Sequence, residues 1–409
     1  MTRLIVVSNR VNPPAGEGEE SVGGLAMALA AALKEYSGVW FGWSGQTTPT
    51  FTGGLNVQSV GGVTSATVDL EELDVEEYYN GYANKTLWPL FHYRIDLAAF
   101  DRSYGEGYHR VNRRFADTLT PLIERDDLIW VHDYHLIPLG RELRKQGVRN
   151  RIGFFLHIPW PAHQVFINLP RHRQLVEAMF EYDVVGFQTA EHLQAFEEYV
   201  LSEAGGSQPA PGVLKAFGRT LEVGAFPIGI DAEDFAKALK NSRARRMRDL
   251  MTACTVFRSL IVGVDRLDYS KGLEERFLGF ERFLTENPDM RREVLMLQIA
   301  PVSRESVEAY QQIRERLDSL SGRINGAFAD VDWAPIRYVN KNYRRDELAG
   351  IYGAARVGLV TPLRDGMNLV AKEFVAAQNP EDPGVLILSR FAGAARQMKE
   401  ALLVNPNSA

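Results

Sequence analysis

Cysteine is nearly absent: Cys254 is the only one in 409 residues. One thiol cannot build an internal disulfide framework and fits a reducing compartment; its simplest role is that of a small buried hydrophobe. Long apolar runs are missing too. None approaches the roughly 20 residues that cross a bilayer, and the amino terminus opens on a strand-like run without the pattern of a signal peptide. The expected setting is cytoplasmic. Neither sign of charge dominates, since 52 acidic against 46 basic residues leave a net charge of −6. That mixture offers no basic face for nucleic acid and none for an acidic membrane. G-x-G-x-x-G and the Walker loop are both absent, so a dinucleotide dehydrogenase and a P-loop NTPase lose their main support. His132-Asp133-Tyr134-His135 looks like the start of a metal cluster, but no further ligand follows at a convincing spacing, and no metal is expected.

A chain of 409 residues exceeds the size at which one core stops growing, which makes two domains the default. Strand-like and helix-like segments alternate throughout, as in α/β proteins with doubly wound parallel sheets. Pro227 and Gly229 punctuate the chain near Phe226–Asp231, a charged helical stretch follows from Asp231 to Leu250, and a fresh βαβ series begins at Ser259. The expected domains are therefore residues 1–227 and 228–409.

The densest signal is Val357 to Glu373. Four apolar residues suit a buried parallel strand, Pro362 ends it, and Asp365, Gly366, Met367 and Asn368 form a turn into a helix opening at Leu369. Asn368 can cap that helix, and free N–H groups at a helix start attract a diphosphate. Glu373 falls a little over one turn further on. Other strands also end in polar groups: Ser8-Asn9-Arg10, His132-Asp133, His157, Asp265-Arg266 with Lys271 soon after, and Arg304. Open parallel sheets bind ligands beyond the carboxyl ends of their strands, so these residues could converge. A glycine-rich loop containing Gly23 and Gly24 follows the first strand and can present backbone amides. Asp330-Val331-Asp332 echoes a phosphatase pair but lacks a preceding strand, which makes a surface turn the better reading.

Ser8-Asn9-Arg10, Gly23-Gly24, Phe41 to Gly45, Leu87-Trp88-Pro89, Phe91 to Arg94, Val131 to His135, Phe154 to Pro159, Asp265 to Gly272 and Arg364 to Glu373 together resemble the trehalose-6-phosphate synthase family, in order and over nearly the whole chain. The resemblance implies a GT-B fold, two Rossmann-like doubly wound domains facing each other across a cleft. Residues 1–227 would be the glucose 6-phosphate domain and 228–409 the nucleotide-sugar domain. It further implies a retaining transfer of glucose from UDP-glucose to glucose 6-phosphate, with no cofactor and no metal. Small molecules are then the expected partners, with a homo-oligomer left open.

By motif, Arg266 and Lys271 correspond to the diphosphate-binding pair. Asp365, Gly366, Met367, Asn368 and Leu369 correspond to the donor-glucose turn, Glu373 to the ribose carboxylate, and Gly23 and Gly24 to a donor loop. His157 corresponds to a residue near the reacting centre and Asp133 to a contact of the acceptor sugar. Arg10, Tyr79, Trp88 and Arg304 correspond to the acceptor pocket, with Tyr78 the other candidate beside Tyr79, and with the two arginines and Tyr79 holding the phosphate. Trp160 departs from the family's usual phenylalanine, the loop Gly205 to Gly212 is its own, and the end at Ala409 falls short of the family's final crossing helix, so a truncated chain is expected. A glucosylglycerol-phosphate synthase-like transferase and a catalytically silent sugar-phosphate sensor remain as alternatives, and the donor base stays open among UDP, GDP and ADP.

Overall fold

Val294–Ile299 reads Val-Leu-Met-Leu-Gln-Ile with every side chain buried, the run expected of a strand covered on both faces. Alternation sorts its residues. Leu295, Leu297 and Ile299 join Leu260, Val262, Ala371 and Phe374 on one side, whereas Val294 and Met296 join Phe277, Phe280, Leu317 and Ile324 on the other. Each such Leu or Phe taken out of water is worth about 1.5–3 kcal/mol. Two helical layers on one sheet follow directly.

The computed structural model describes residues 3–11, 33, 38–60, 63–304 and 307–408; Gly23 and Gly24 lie outside them. The chain divides into two compact units, Met1–Pro227 and Ile228–Ala409.

In the first unit the strands are β1 (Leu4–Arg10), β2 (Val39–Thr48), β3 (Asn56–Val60), β4 (Val63–Glu71), β5 (Leu128–His132), β6 (Ile152–Leu156), β7 (Val184–Phe187), β8 (Ser207–Ala210), β9 (Val213–Ala216) and β10 (Arg219–Ala225). They lie in the order β3-β4-β2-β1-β5-β6-β7-β10-β9-β8. Pairing is parallel from β4 through β10, and antiparallel hairpins close both edges. The second unit holds β11 (Ser259–Val264), β12 (Val294–Ile299), β13 (Ile336–Val339), β14 (Val357–Val360), β15 (Val385–Ser389) and β16 (Leu402–Val404). Their order is β13-β12-β11-β14-β15-β16, all parallel.

Both sheets thus share one winding. Each starts at a central strand, runs to one edge, and returns to the other side of the start, so the direction of winding reverses between β1 and β5 and again between β11 and β14. Such reversals open a crevice beyond the strands' carboxyl ends. The helices start where their caps dictate: Asp101 accepts from Ser103 N ahead of Arg102–Leu119, and Thr189 accepts from His192 N ahead of Ala190–Ser202. The stretch from Asp231 to Leu250 is two helices rather than one, Ala232–Ala238 and Ser242–Cys254, because Asn241 turns the chain and caps the second.

Candidate active site

At the first crevice β1 ends in polar groups with assigned partners. Ser8 Oγ accepts from Trp40 Nε1 at 2.8 Å, and Asn9 Oδ1 accepts from the Tyr78 hydroxyl at 2.7 Å. Arg10 is exposed, and its guanidinium lies 5.8 Å from the centre of the Trp43 ring. Gly45 must stay glycine here: its φ is +89°, and a Cβ would stand 2.4 Å from Arg10 Nη2. Tyr79 meets Trp43 edge-on at 5.6 Å and stacks on His135 at 5.9 Å. Arg10, Trp43, Tyr79 and His135 therefore form one row, a cation followed by three rings. Tyr78 is excluded from it, being fully buried against Tyr108. Tyr79 rides on Val75–Leu87, a π-helical segment, a rare winding often found at functional sites. Trp88 is only 4% exposed, packed on His92 and Tyr134.

β5 delivers Asp133 in a positive-φ conformation, φ 76° and ψ 167°. Asp133 Oδ1 accepts the His157 backbone N–H at 3.1 Å, tying the ends of β5 and β6 together. The His157 ring touches His132 Nδ1 through Nε2 at 2.9 Å and the Gln188 amide through Nδ1 at 3.3 Å. Packing strips water from this ring and pushes its pKa down to about 3, so His157 is neutral.

The second crevice is braced by a residue that sequence reasoning missed. Arg276 is buried and reaches Asp265 Oδ2 at 2.8 Å, Gln298 Oε1 at 2.7 Å, Thr361 Oγ1 at 3.1 Å and the Lys271 carbonyl at 3.4 Å. One guanidinium thus ties together the ends of β11, β12 and β14. Burial raises the Asp265 carboxyl above the usual carboxylate range, even beside Arg276 and Lys271. The only sequence signal was Gln298, a polar residue inside an apolar strand. Gly272, with φ +64°, lets the turn approach so closely that a Cβ would lie 2.2 Å from the Thr361 carbonyl.

Lys271 Nζ reaches Asp365 Oδ2 at 2.6 Å, and Asn368 Nδ2 reaches the same oxygen at 3.1 Å. Lys271 is therefore held by an acid, not held ready beside Arg266. Asn368 caps Leu369–Ala376 by accepting from Ala371 N at 3.2 Å, with Gly366 and Met367 buried in the turn before it. Glu373 sits in the second turn of that helix. Desolvation pushes its pKa up to about 7, with Arg345 pulling the other way. Arg266 stands exposed just beyond β11.

Arg304 lies within the second unit, its side chain 6% exposed, bonded to the Tyr310 hydroxyl and 3.5 Å from Asp268 Oδ2. Asp268 in turn caps the Tyr269–Lys271 turn. The expected phosphate grip by Arg304 thus meets a side chain already engaged. Asp133, Arg304 and Asn368 are three of the eight non-glycine residues with positive φ among the described residues. Backbone strain of this kind gathers at ligand sites, and three named residues carry it here. No group of three or more His, Cys, Asp or Glu able to hold a metal occurs among the described residues, and no helix there is long and apolar enough to cross a membrane.

Comparison with known proteins adds an independent line. The profile of Glycosyltransferase family 20 matches residues 3–408. The chain is 51% identical over 412 residues to the trehalose-6-phosphate synthase of Sinorhizobium fredii, covering 99% of this chain and 88% of that one. It is 48% identical over 406 residues to that of an Enterobacter species, covering 99% and 85%. Among solved structures, an alpha,alpha-trehalose-phosphate synthase (UDP-forming) from Burkholderia xenovorans in complex with glucose-6-phosphate matches with a TM-score of 0.95 and 53% identity, over 99% of this chain and 89% of that one. An E. coli structure bound with UDP-2-fluoro glucose matches with a TM-score of 0.94 and 46% identity, over 100% and 88%. The architecture is accordingly the two-domain GT-B α/β fold.

Proposed function

The chain belongs to glycosyltransferase family 20 and is a glycosyl-transferring enzyme, and from that premise we propose how its residues divide the work. It moves glucose from UDP-glucose to glucose 6-phosphate, giving trehalose 6-phosphate and UDP. One observation carries the donor assignment: Lys271 and Asn368 converge on Asp365 where the second sheet reverses its winding and a helix begins.

In this reading the diphosphate is taken by Arg266, Lys271 and the N–H groups opening Leu369–Ala376, with Gly366, Met367 and Leu369 contributing backbone. Fixed cations and amides are what a departing UDP needs as charge builds on it. Asp365 takes glucose hydroxyls and Glu373 the ribose. The Glu373 carboxylate makes no hydrogen bond among the described residues, its backbone carbonyl alone accepting from Ala377 N, and two ribose hydroxyls are suitable donors. Gly23 and Gly24, outside the described residues, keep their donor-loop role on the motif alone. On the acceptor side Arg10 and Tyr79 take the phosphate and Asp133 the sugar. Arg304 takes a ligand phosphate only by exchanging its Asp268 and Tyr310 contacts for it.

Transfer proceeds with retention, the acceptor hydroxyl attacking from the leaving-group face and a UDP phosphate oxygen receiving its proton. The protein supplies position and charge. No cofactor or metal takes part in this reading, and turnover is expected to survive dialysis against EDTA. The scarcity of cysteine supports a reducing, cytoplasmic setting. A coupled assay of UDP release, comparing glucose 6-phosphate with glycerol 3-phosphate, tests the acceptor. Arg266→Ala is expected to lose roughly 2.7 to 4 kcal/mol of transition-state stabilisation, and full turnover by that variant would remove Arg266 from the site.

A further inference from the structure

We infer that His132 is a positioning residue which, together with Gln188, occupies both ring nitrogens of His157 and holds it as a neutral imidazole protonated at Nε2. The inference rests on the reading of His157 as a residue of the reacting centre.

The geometry carries it. His132 Nδ1 and His157 Nε2 are 2.9 Å apart, and the two rings lie nearly parallel, 5.2 Å between centres and 26° between planes. On the far side the Gln188 amide nitrogen is 3.3 Å from His157 Nδ1. An amide N–H donates, so Nδ1 accepts. The ring's one proton then sits on Nε2 and is given to His132 Nδ1. His132 is left with its own proton on Nε2, an atom with no hydrogen-bond partner. His132 is 1% exposed and walled by Trp130, 4.3 Å away, and Phe155. Gln188 is likewise 1% exposed, so neither clamp can swing into water. Burial lowers the pKa of both imidazoles, which keeps the pair uncharged.

A histidine with both nitrogens engaged inside the protein cannot collect or deliver a substrate proton. His157 therefore presents a ring edge and its backbone to the substrate, and proton transfer is left to the departing phosphate.

The test uses the full-length enzyme with His132→Phe, which keeps a ring but no acceptor, and His132→Asn, whose side-chain oxygen can replace Nδ1. We expect His132→Phe to lose roughly 10- to 100-fold in kcat, as when other groups that orient a functional histidine are removed, with KM for both substrates near the parent values. His132→Asn should recover most of that loss. Long-range nitrogen–proton NMR on labelled histidine should show His157 as a single Nε2–H tautomer between roughly pH 6 and 8, the range in which an ordinary imidazole changes charge, and as a mixture in His132→Phe. A parent enzyme with mixed tautomers, or a His132→Phe variant with parental kcat and an unchanged spectrum, would overturn the inference. If His157→Ala keeps parental kcat while the spectra behave as expected, the placement of His157 in the site fails and the clamp stands.

Discussion

Lys271 Nζ and Asp365 Oδ2 lie 2.6 Å apart, so the cation assigned to the diphosphate and the acid assigned to glucose are bonded to each other. Their side chains are 11% and 15% exposed, which leaves the pair little screened by water. Arrival of a nucleotide sugar offers each a new partner. In the proposed reading the phosphate would take Lys271, and Asp365 would exchange that contact for hydroxyl protons. In that reading the two halves of the donor are read together, because a ligand that supplies only one of them separates the ion pair without replacing both of its charges' contacts.

Asp365→Asn should separate these effects. Losing the carboxylate frees Lys271 from an internal competitor, so UDP without glucose should bind more tightly. UDP-glucose should turn over more slowly, since a charge-assisted bond worth about 1.5–3 kcal/mol is replaced by a neutral one. Calorimetry with UDP and steady-state kinetics with UDP-glucose check both directions, and weaker binding of UDP would mean that the pair does not compete.

Arg276→Met should destabilise the second unit severely. Asp265 would stay buried with its strongest partner gone, and breaking a buried ion pair costs roughly 3–5 kcal/mol. In a unit this size that corresponds to a Tm lower by about 10 °C. Adding Asp265→Asn should return part of the loss, because the uncompensated charge is removed. Thermal unfolding of the single and double variants decides it. A single variant within a degree or two of the parent would show that the brace contributes nothing.

The strand ends were legible because short apolar runs followed by polar residues depend on the chain's own periodicity. Arg10, Asp133, His157, Arg266 and Asp365 all fall there. What stayed hidden depends on distant neighbours. Arg276 reads as one charge among several at the start of Leu273–Glu286, and nothing local says that it points into the sheet rather than outward. The choice between Tyr78 and Tyr79 was likewise invisible, since a π-helical segment does not follow the usual period of 3.6 residues. Arg304 was recognised, but its engagement with Asp268 and Tyr310 requires the turn after β11 to be in place.

Glu373 sets a pH dependence whose sign follows from its raised pKa, about 7 against an ordinary 4.5. The folded state binds this proton more tightly than the unfolded chain. The stability it contributes is therefore full below pH 4.5 and lost as pH rises through 7. Glu373→Gln should flatten that part of the stability profile. Donor binding should run the other way, because ribose hydroxyls need the ionised carboxylate: UDP-glucose should bind better as pH rises through 7, and that rise should vanish in the variant. UDP-glucose is the right probe, its phosphates having no proton to lose in this range. An unchanged rise in Glu373→Gln would assign it to another group.

The Arg10 guanidinium leans on Trp43 and leaves no room for a side chain at Gly45. If Arg10 holds the acceptor phosphate, Arg10→Ala loses a charge-assisted bond worth about 1.5–3 kcal/mol, or roughly 10- to 100-fold in kcat/KM for glucose 6-phosphate. Free glucose has no phosphate to lose, so its use should hardly change. Gly45→Ala provides the control within the same row. It keeps the arginine but puts a methyl group where Nη2 now lies, in a backbone conformation that favours glycine. It should therefore weaken glucose 6-phosphate binding in the same direction as Arg10→Ala and by less, and the two changes together should cost no more than Arg10→Ala alone, because a displaced guanidinium and a missing one remove the same contact. Measuring kcat/KM for both acceptors on all three variants gives the answer. Equal losses for glucose and glucose 6-phosphate would place Arg10 outside the phosphate receptor.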